Sequence, residues 1–194
     1  MSKLYFRYGA MNSGKSTNLM QVAYNYEERG MRVLLIKPST DKKGGDKLVS
    51  RLGVERKVDL LIDDAQNIYD EVNKWQSKKY NIDCILVDEV QFFKSNQIDE
   101  LFKIAVCLDI PVICYGLRTD FKMEGFEGST RLLLLAHSIE ELKTICKCGK
   151  KAILNGRKIN NKFVFEGQQV AIDNVDNVEY ESLCGHCYFK YKNE

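Results

Sequence analysis

The sequence predicts an α/β protein: a parallel sheet covered by helices on both faces, followed by a small cysteine-rich domain. Uniformly apolar segments of strand length alternate with helical patterns through residues 1–140. Strands that are buried on both faces are typical of parallel sheets with helices between the strands. Beyond about residue 140 the segments become short and cysteines cluster, so we expect residues 141–194 to form a second domain.

Four buried strands and three helices are predicted first. The strand segments are LYFRYG, MRVLLIK, CILVDE and IPVICYG. The helical segments are STNLMQVAYNYEERG, which ends at Gly30, DDAQNIYDEVNKW, which begins at Asp63 or Asp64, and QIDELFKIAVCL. Residues 39–56 are polar and rich in glycine, which predicts a mobile loop between the second strand and the second helix.

Composition and charge restrict the possible partners. The chain has 194 residues, of which 44% are hydrophobic, and its formal net charge is +2. A charge this small gives no electrostatic reason to expect binding to nucleic acid or to a membrane. The sequence contains neither an apolar stretch of about 18 residues nor a signal-peptide pattern. We therefore expect a cytoplasmic protein that has no nucleic-acid or membrane partner.

A phosphate-binding motif follows the first strand. The segment GAMNSGKS, residues 9–16, fits G-x-x-x-x-G-K-[ST] and lies between a predicted strand and a predicted helix, as the mechanism requires. Glycines let successive N–H groups face a phosphate, the lysine reaches the β- and γ-phosphates, and the serine hydroxyl ligates Mg²⁺. The motif predicts a P-loop NTPase fold of the RecA-like type that binds ATP with Mg²⁺. Its expected nucleotide contacts are Gly9, Ala10, Met11, Asn12, Ser13, Gly14, Lys15 and Ser16.

Two carboxylates end the third predicted strand. Asp88 and Glu89 follow CILV, and ligands of open α/β sheets bind at the carboxyl ends of the strands. An aspartate at this position usually holds Mg²⁺ together with the P-loop serine, here Ser16. Glu89 could then act as a general base. The pair alone does not separate an ATPase, which positions water, from a kinase, which takes a proton from a substrate hydroxyl.

The second domain contains two close cysteine pairs. Cys146 and Cys148 form the first pair, and Cys184 and Cys187 form the second. Four soft ligands with no open position indicate a structural Zn²⁺ site, although His186 could replace one cysteine. The other three cysteines lie in apolar segments and are expected in the core; they are Cys84, Cys107 and Cys114.

Taken together, these motifs resemble those of the thymidine kinase family of the zinc-ribbon type, along nearly the whole chain. The matching segments are GAMNSGKS, DEVQFF (88–93), YGLRTDF (115–121), TICKCGKKA (144–152) and EYESLCGHC (179–187). The resemblance implies transfer of the γ-phosphate of ATP to the 5′-hydroxyl of thymidine, and of deoxyuridine, which gives dTMP in pyrimidine deoxynucleotide salvage. It also implies a homotetramer and feedback inhibition by dTTP.

The resemblance also implies roles for individual residues. Glu89 would accept the hydroxyl proton, and Gln91 would belong to the nucleotide site with Asp88. A loop from about Val164 to Tyr180 would fold over the nucleoside, with Tyr180 near the sugar. The residues that would contact the nucleoside are Met11, Phe92, Phe121, Phe126, Ile172 and Tyr180.

The chain departs from the family pattern in two places. Ile172 is followed by Asp173 and Asn174 where the family often has Gly-Gly, and Asn155 stands where the family commonly has a threonine near the thymine methyl group. These differences leave the contacts to the base open. Two other classes remain as alternatives: an ATPase whose ribbon binds nucleic acid, and a non-enzymatic ribbon protein with a degenerate nucleotide site. The complete set of Lys15, Ser16, Asp88 and Glu89 argues against the second alternative.

Overall fold

A computed structural model describes residues 1–40, 45–49, 53, 55–77, 81–169 and 177–193. The first part of the chain contains β1 (Leu4–Tyr8), α1 (Lys15–Glu27), β2 (Val33–Pro38), β3 (Lys47–Val49), β4 (Glu55–Lys57), β5 (Leu60–Ile62), α2 (Ile68–Ser77), β6 (Cys84–Val87), a 3₁₀ turn (Val90–Phe92), α3 (Ser95–Cys107), β7 (Val112–Gly116), α4 (Glu127–Leu135) and β8 (Ser138–Glu141). No helix of the described residues is long and apolar enough to span a membrane.

The central sheet has six parallel strands in the order β5-β2-β6-β7-β1-β8. The phosphate-binding motif follows β1, and the Asp88-Glu89 pair follows β6. Only β7 lies between these two strands. Because the strands run in the same direction, both motifs emerge at the same edge of the sheet.

Helices cover both faces of this sheet, as predicted. On one face α1 packs Leu19 and Ala23 against Leu35, Leu86 and Tyr115. The other face carries α2, α3 and α4, and its core includes Ile68, Val72, Ile98, Leu101, Ile104 and Leu132. Each fully buried side chain of this size contributes about 1.5–3 kcal/mol relative to an exposed one. The two cores hold the strand ends, and with them both motifs, in fixed positions.

The second part of the chain is a small, strand-rich unit. It contains β9 (Thr144–Ile145), β10 (Lys151–Ala152), β11 (Leu154–Ile159), β12 (Lys162–Val164), β13 (Val178–Leu183) and α5 (Gly185–Lys192). A β9–β10 hairpin lies beside an antiparallel sheet of order β12-β11-β13. Its core joins Leu154, Leu183 and Tyr188 to three buried cysteines. This architecture confirms the predicted ribbon.

The structure corrects several details of the prediction. The polar region 39–56 contains the antiparallel pair β3–β4, with Leu48 buried; residues 41–44, 50–52 and 54 lie outside the described residues. Strands β5 and β8 were not predicted, because both are short and lie at the edges of the sheet, where side chains are partly exposed.

Two further predictions were wrong. The second helix begins at Ile68 rather than at Asp63 or Asp64. The Asp63 carboxylate instead accepts hydrogen bonds from the N–H groups of Ala65 and Gln66, and so it forms a turn before the helix. Cys107 is exposed, because it is the last residue of α3 and lies on its solvent side, whereas Cys84 and Cys114 are buried as expected.

Candidate active site

The phosphate-binding motif forms the loop between β1 and α1. Gly14 caps α1 with a φ of 76°, and Asn12 also has a positive φ, 66°. A side chain at Gly9 would place its Cβ 2.3 Å from the Ser13 Oγ and 2.5 Å from the Leu142 carbonyl oxygen. Glycine is therefore required at Gly9 by close packing and is favoured at Gly14 by backbone conformation. The loop takes the concave shape that directs N–H groups toward a phosphate.

Lys15 is held inside this loop. Its side chain is buried, and its Nζ donates to the carbonyl oxygens of Ala10, at 2.9 Å, and Gly9, at 3.2 Å. The ammonium therefore lies at the concave side of the loop next to the N-terminus of α1, whose partial positive charge adds to its own. This is a strongly anion-attracting position.

The two carboxylates follow β6 but differ in their surroundings. Asp88 is buried, and its N–H donates to the Ile36 carbonyl oxygen of the neighbouring strand at 3.0 Å. Glu89 is half-buried and adopts a left-handed conformation with φ 47° and ψ 39°. A non-glycine residue in this region stores strain of about 1–3 kcal/mol, which is common at functional sites. The turn directs Glu89 away from the line of the strand.

Gln91 fixes the Glu89 carboxylate. Its Nε2 donates to Glu89 Oε2 at 2.5 Å, and its Oε1 accepts from the Leu117 N–H at 3.1 Å. Gly116 makes room for this link, because a Cβ there would lie 2.6 Å from Gln91 Oε1. The buried amide thus connects the end of β6 with the end of β7.

A cavity of about 570 Å³ brings the phosphate loop and Glu89 together. It is lined by Met11, Asn12, Ser13, Gly14, Lys15, Ser16, Thr17, Asn18, Gln21, Val49 and Glu89. Lys15, Ser16 and Glu89 thus face one space. Val49 comes from the β3–β4 pair, which the sequence analysis had taken as a loop, so this pair forms one wall of the cavity.

The predicted aromatic residues form two groups. Phe92 and Phe126 meet edge to face, with ring centroids 5.7 Å apart, and both line a second cavity of about 230 Å³ with Gln91 and Gln169. Phe121 is buried, and its carbonyl oxygen accepts from the Tyr188 hydroxyl at 2.7 Å. Ile172 lies outside the described residues.

Two buried residues of β11 connect the ribbon to this site. The Asn155 side chain accepts from the Met11 N–H at 2.7 Å and donates to the Thr119 carbonyl oxygen at 2.9 Å. The Arg157 guanidinium lies 3.6 Å from the centre of the Phe121 ring. Sequence reasoning did not predict the Arg157 contacts; the available signal was two polar residues, Asn155 and Arg157, two positions apart in a short segment.

The four predicted cysteines come together in the ribbon. The Sγ atoms of Cys146, Cys148, Cys184 and Cys187 all lie within 4.8 Å of one another. Tetrahedral zinc thiolate sites, with Zn–S bonds of about 2.3 Å, place their sulfurs roughly 3.8 Å apart. The Cys187 N–H donates to Cys184 Sγ, and this bond together with contacts from the neighbouring thiols lowers the pKa of the Cys184 thiol, which favours a thiolate at that position. The donor set therefore fits a structural zinc ion. His186 is exposed and is not part of the cluster.

The fold and the loop geometry define a P-loop α/β protein with a four-cysteine ribbon. The family model for "Thymidine kinase" matches residues 2–188. The chain is 42% identical over 189 residues to the thymidine kinase of Francisella tularensis subsp. holarctica, with 95% of each chain covered. It is 43% identical over 192 residues to that of Lactococcus lactis, with 98% of each covered. The chain belongs to the thymidine kinase family.

A solved structure is similar more distantly. The replication initiator DnaA bound to AMPPCP and single-stranded DNA gives a TM-score of 0.44 at 19% identity. The match covers 74% of this chain and 41% of that one. A likeness this weak has no bearing on function.

Proposed function

We propose that the chain transfers the γ-phosphate of ATP to the 5′-hydroxyl of thymidine, and also of deoxyuridine, giving dTMP for pyrimidine deoxynucleotide salvage. The observation that carries this proposal is the single cavity in which Lys15, Ser16 and Glu89 meet, in a chain of the thymidine kinase family. A phosphoryl donor, its charge-neutralising groups and a base for the acceptor can share that space.

The phosphate side would bind ATP. The N–H groups of residues 9–16 and the Lys15 ammonium would hold the phosphates and stabilise the charge that develops during transfer. Ser16 and Asp88 offer the hydroxyl and carboxylate oxygens that Mg²⁺ prefers. When bound, Mg²⁺ would neutralise phosphate charge. Electrostatic stabilisation of this kind is usually the largest catalytic contribution.

Glu89 would accept the proton of the 5′-hydroxyl. A primary hydroxyl is a weak nucleophile at neutral pH, and a carboxylate within about 2.6–3.2 Å can remove its proton as the bond to phosphorus forms. The amide of Gln91 donates to one carboxylate oxygen of Glu89, which leaves the other oxygen for the substrate. This contact supports a positioning role for Gln91 at the edge of the nucleotide site.

The nucleoside side would be formed by Met11, Phe92, Phe121 and Phe126, with Tyr180 near the sugar. Aromatic faces supply stacking area for a pyrimidine base, and nearby backbone groups can pair with its edge. Ile172 and the remainder of the segment from Val164 to Tyr180 complete the proposed nucleoside-covering loop, partly from outside the described residues.

The proposal has further parts that rest on the family resemblance and the cysteine cluster. Residues 1–140 would form the ATP-binding domain, and residues 141–194 the ribbon, with Zn²⁺ on Cys146, Cys148, Cys184 and Cys187. We also propose a cytoplasmic homotetramer that is inhibited by dTTP and that has neither nucleic acid nor a membrane as a partner.

A panel assay tests the proposal. The purified protein is incubated with ATP and Mg²⁺ and with thymidine, deoxyuridine or deoxycytidine, and the nucleoside monophosphates are separated and quantified. We expect dTMP and dUMP and little dCMP. If ADP accumulates but no monophosphate forms, the proposed kinase activity is wrong and the protein is an ATPase.

A further inference from the structure

Two of the polar residues of β11, Asn155 and Arg157, face the α/β part of the molecule. Side chains alternate along a strand, and Gly156, between Asn155 and Arg157, faces the ribbon core: a Cβ there would lie 2.7 Å from a Phe163 ring carbon and from a Leu183 methyl group. Asn155 and Arg157 therefore share the opposite face. Asn155 on that face contacts Met11 and Thr119, on the phosphate loop and on the loop after β7.

Arg157 is buried without a carboxylate partner among the described residues. It is 4% exposed, and burial of an unpaired charge is costly unless other groups stabilise it. Its Nη2 donates to the carbonyl oxygens of Gln168, at 2.8 Å, and Gln169, at 3.0 Å, and its Nε contacts the Tyr180 hydroxyl oxygen at 3.2 Å. Among the described residues, carbonyl dipoles and a hydroxyl oxygen are therefore the groups that stabilise this charge.

The guanidinium also stacks on an aromatic ring. Its central carbon lies 3.6 Å from the centre of the Phe121 ring and 5.6 Å from that of Tyr180. One planar cation therefore fixes the Phe121 ring and the Tyr180 hydroxyl at the same time. Lysine could not do this, because a point-like ammonium lacks both the flat face and the fork of donors.

We infer that Arg157 is a positioning residue for the nucleoside: it holds the Phe121 wall and orients the Tyr180 hydroxyl. This inference rests on the proposed function, because the contacts of Phe121 and Tyr180 with the nucleoside are part of that proposal. The Tyr188 hydroxyl holds the backbone of Phe121 from the ribbon side, so loss of Arg157 would release the ring rather than the whole loop. The hydrogen-bond and ring partners of Arg157 among the described residues are Tyr180, Gln168, Gln169 and Phe121, so the phosphate loop should keep its affinity for ATP.

The test compares Arg157→Lys with wild type and with Arg131→Lys. Arg131 lies on α4 and pairs with Asp99 at the surface, so it is a control for the substitution itself. We expect Arg157→Lys to raise the KM for thymidine about 10- to 100-fold, the usual cost of losing hydrogen bonds to a charged group. The KM for ATP and kcat should change less than about threefold, and Arg131→Lys should leave all three unchanged.

Two further measurements separate positioning from a structural role. Thymidine should raise the Tm of Arg157→Lys less than that of wild type, whereas the shift caused by a non-hydrolysable ATP analogue should be equal. Tyr180→Phe should raise the thymidine KM in the same direction, and the double variant should show less than the product of the two single effects. A double variant whose increase in thymidine KM equals the product of the two single increases would contradict the proposed coupling.

The outcomes also separate this inference from the proposed function. If wild type phosphorylates thymidine and Arg157→Lys folds with an unchanged thymidine KM, the inference is wrong and the proposed function stands. Equal losses for thymidine and ATP would also overturn it, in favour of a general structural role. If wild type makes no dTMP, the proposed function itself fails.

Discussion

The phosphate side and the nucleoside side of the candidate site are built in opposite ways. Lys15 is held by Gly9 and Ala10, residues only six and five positions away. On the nucleoside side, Tyr188 reaches Phe121 across 67 positions, and Asn155 joins the two sides by reaching Met11 across 144. The phosphate side therefore follows from one local motif, whereas the nucleoside side depends on the ribbon being folded and docked. Changes on the first side should act on the chemical step, and changes on the second on thymidine binding.

The largest expected effect lies where the two sides meet. Glu89→Gln keeps the shape of the side chain and removes the base, so it should lower kcat by on the order of 10²–10⁴. The KM values for thymidine and ATP should change little, which steady-state kinetics will show. Glu71→Gln, on α2 away from both cavities, is the matched control. A Glu89→Gln enzyme with near wild-type kcat would remove Glu89 from the mechanism.

The next effect tests the phosphate side alone. Lys15→Met should lower kcat by about 10²–10³, as removal of one charge-stabilising donor typically does, while thymidine still raises the Tm of the protein. Lys74→Met, which removes an exposed lysine paired with Glu71, should be neutral. A Lys15→Met enzyme that forms dTMP at a near wild-type rate would contradict the phosphate-loop assignment.

The third prediction tests whether the nucleoside side depends on the metal. Wild type should carry about one Zn²⁺ per chain, and Cys187→Ala should lose it together with stability, because metal binding and local folding are coupled. Thymidine kcat/KM should fall about 10²-fold, the typical cost of binding groups displaced by ~1 Å, while ATP binding should fall much less. Metal analysis, thermal unfolding and kinetics measure these quantities.

The control for that variant is Cys107→Ala. Cys107 is exposed at the end of α3 and lies outside the four-cysteine cluster, so its substitution should change neither zinc content nor Tm. Wild-type protein purified without chelators that contains no zinc would contradict the metal assignment. Equal loss of ATP and thymidine binding in Cys187→Ala would contradict the separation of the two sides.

The smallest effect concerns the residue that joins the sides. Asn155→Ala leaves the Met11 N–H and the Thr119 carbonyl oxygen without this partner, so we expect the free energy of unfolding to fall by about 1–3 kcal/mol. Because Asn155 touches the phosphate loop, KM should rise for both ATP and thymidine. Asn25→Ala, at an exposed position on α1, should change neither the free energy of unfolding nor the KM values. Chemical denaturation and steady-state kinetics measure these quantities.

The contrast between local and long-range contacts also explains which features could be predicted from the sequence. The phosphate loop, the Asp88-Glu89 pair and the cysteine cluster were predictable, because each is a short motif whose spacing reflects its chemistry. The hydrogen-bond partners of Asn155 and Arg157 were not predictable, because they lie on other elements that come together only when the ribbon packs against the α/β part. The short edge strands β5 and β8 were not predicted for a related reason. Their apolar patterns are weak, and these segments are strands because they pair with neighbouring strands of the sheet.

The most direct test of the account is ADP formation by the wild-type protein with and without thymidine. A primary hydroxyl held near Glu89 should be a much better acceptor than water, so we predict slow ADP release without nucleoside. Added thymidine should stimulate it strongly, with one dTMP formed per ADP. Rapid ADP formation that thymidine does not change would contradict the account, because Glu89 would then serve water rather than a nucleoside hydroxyl.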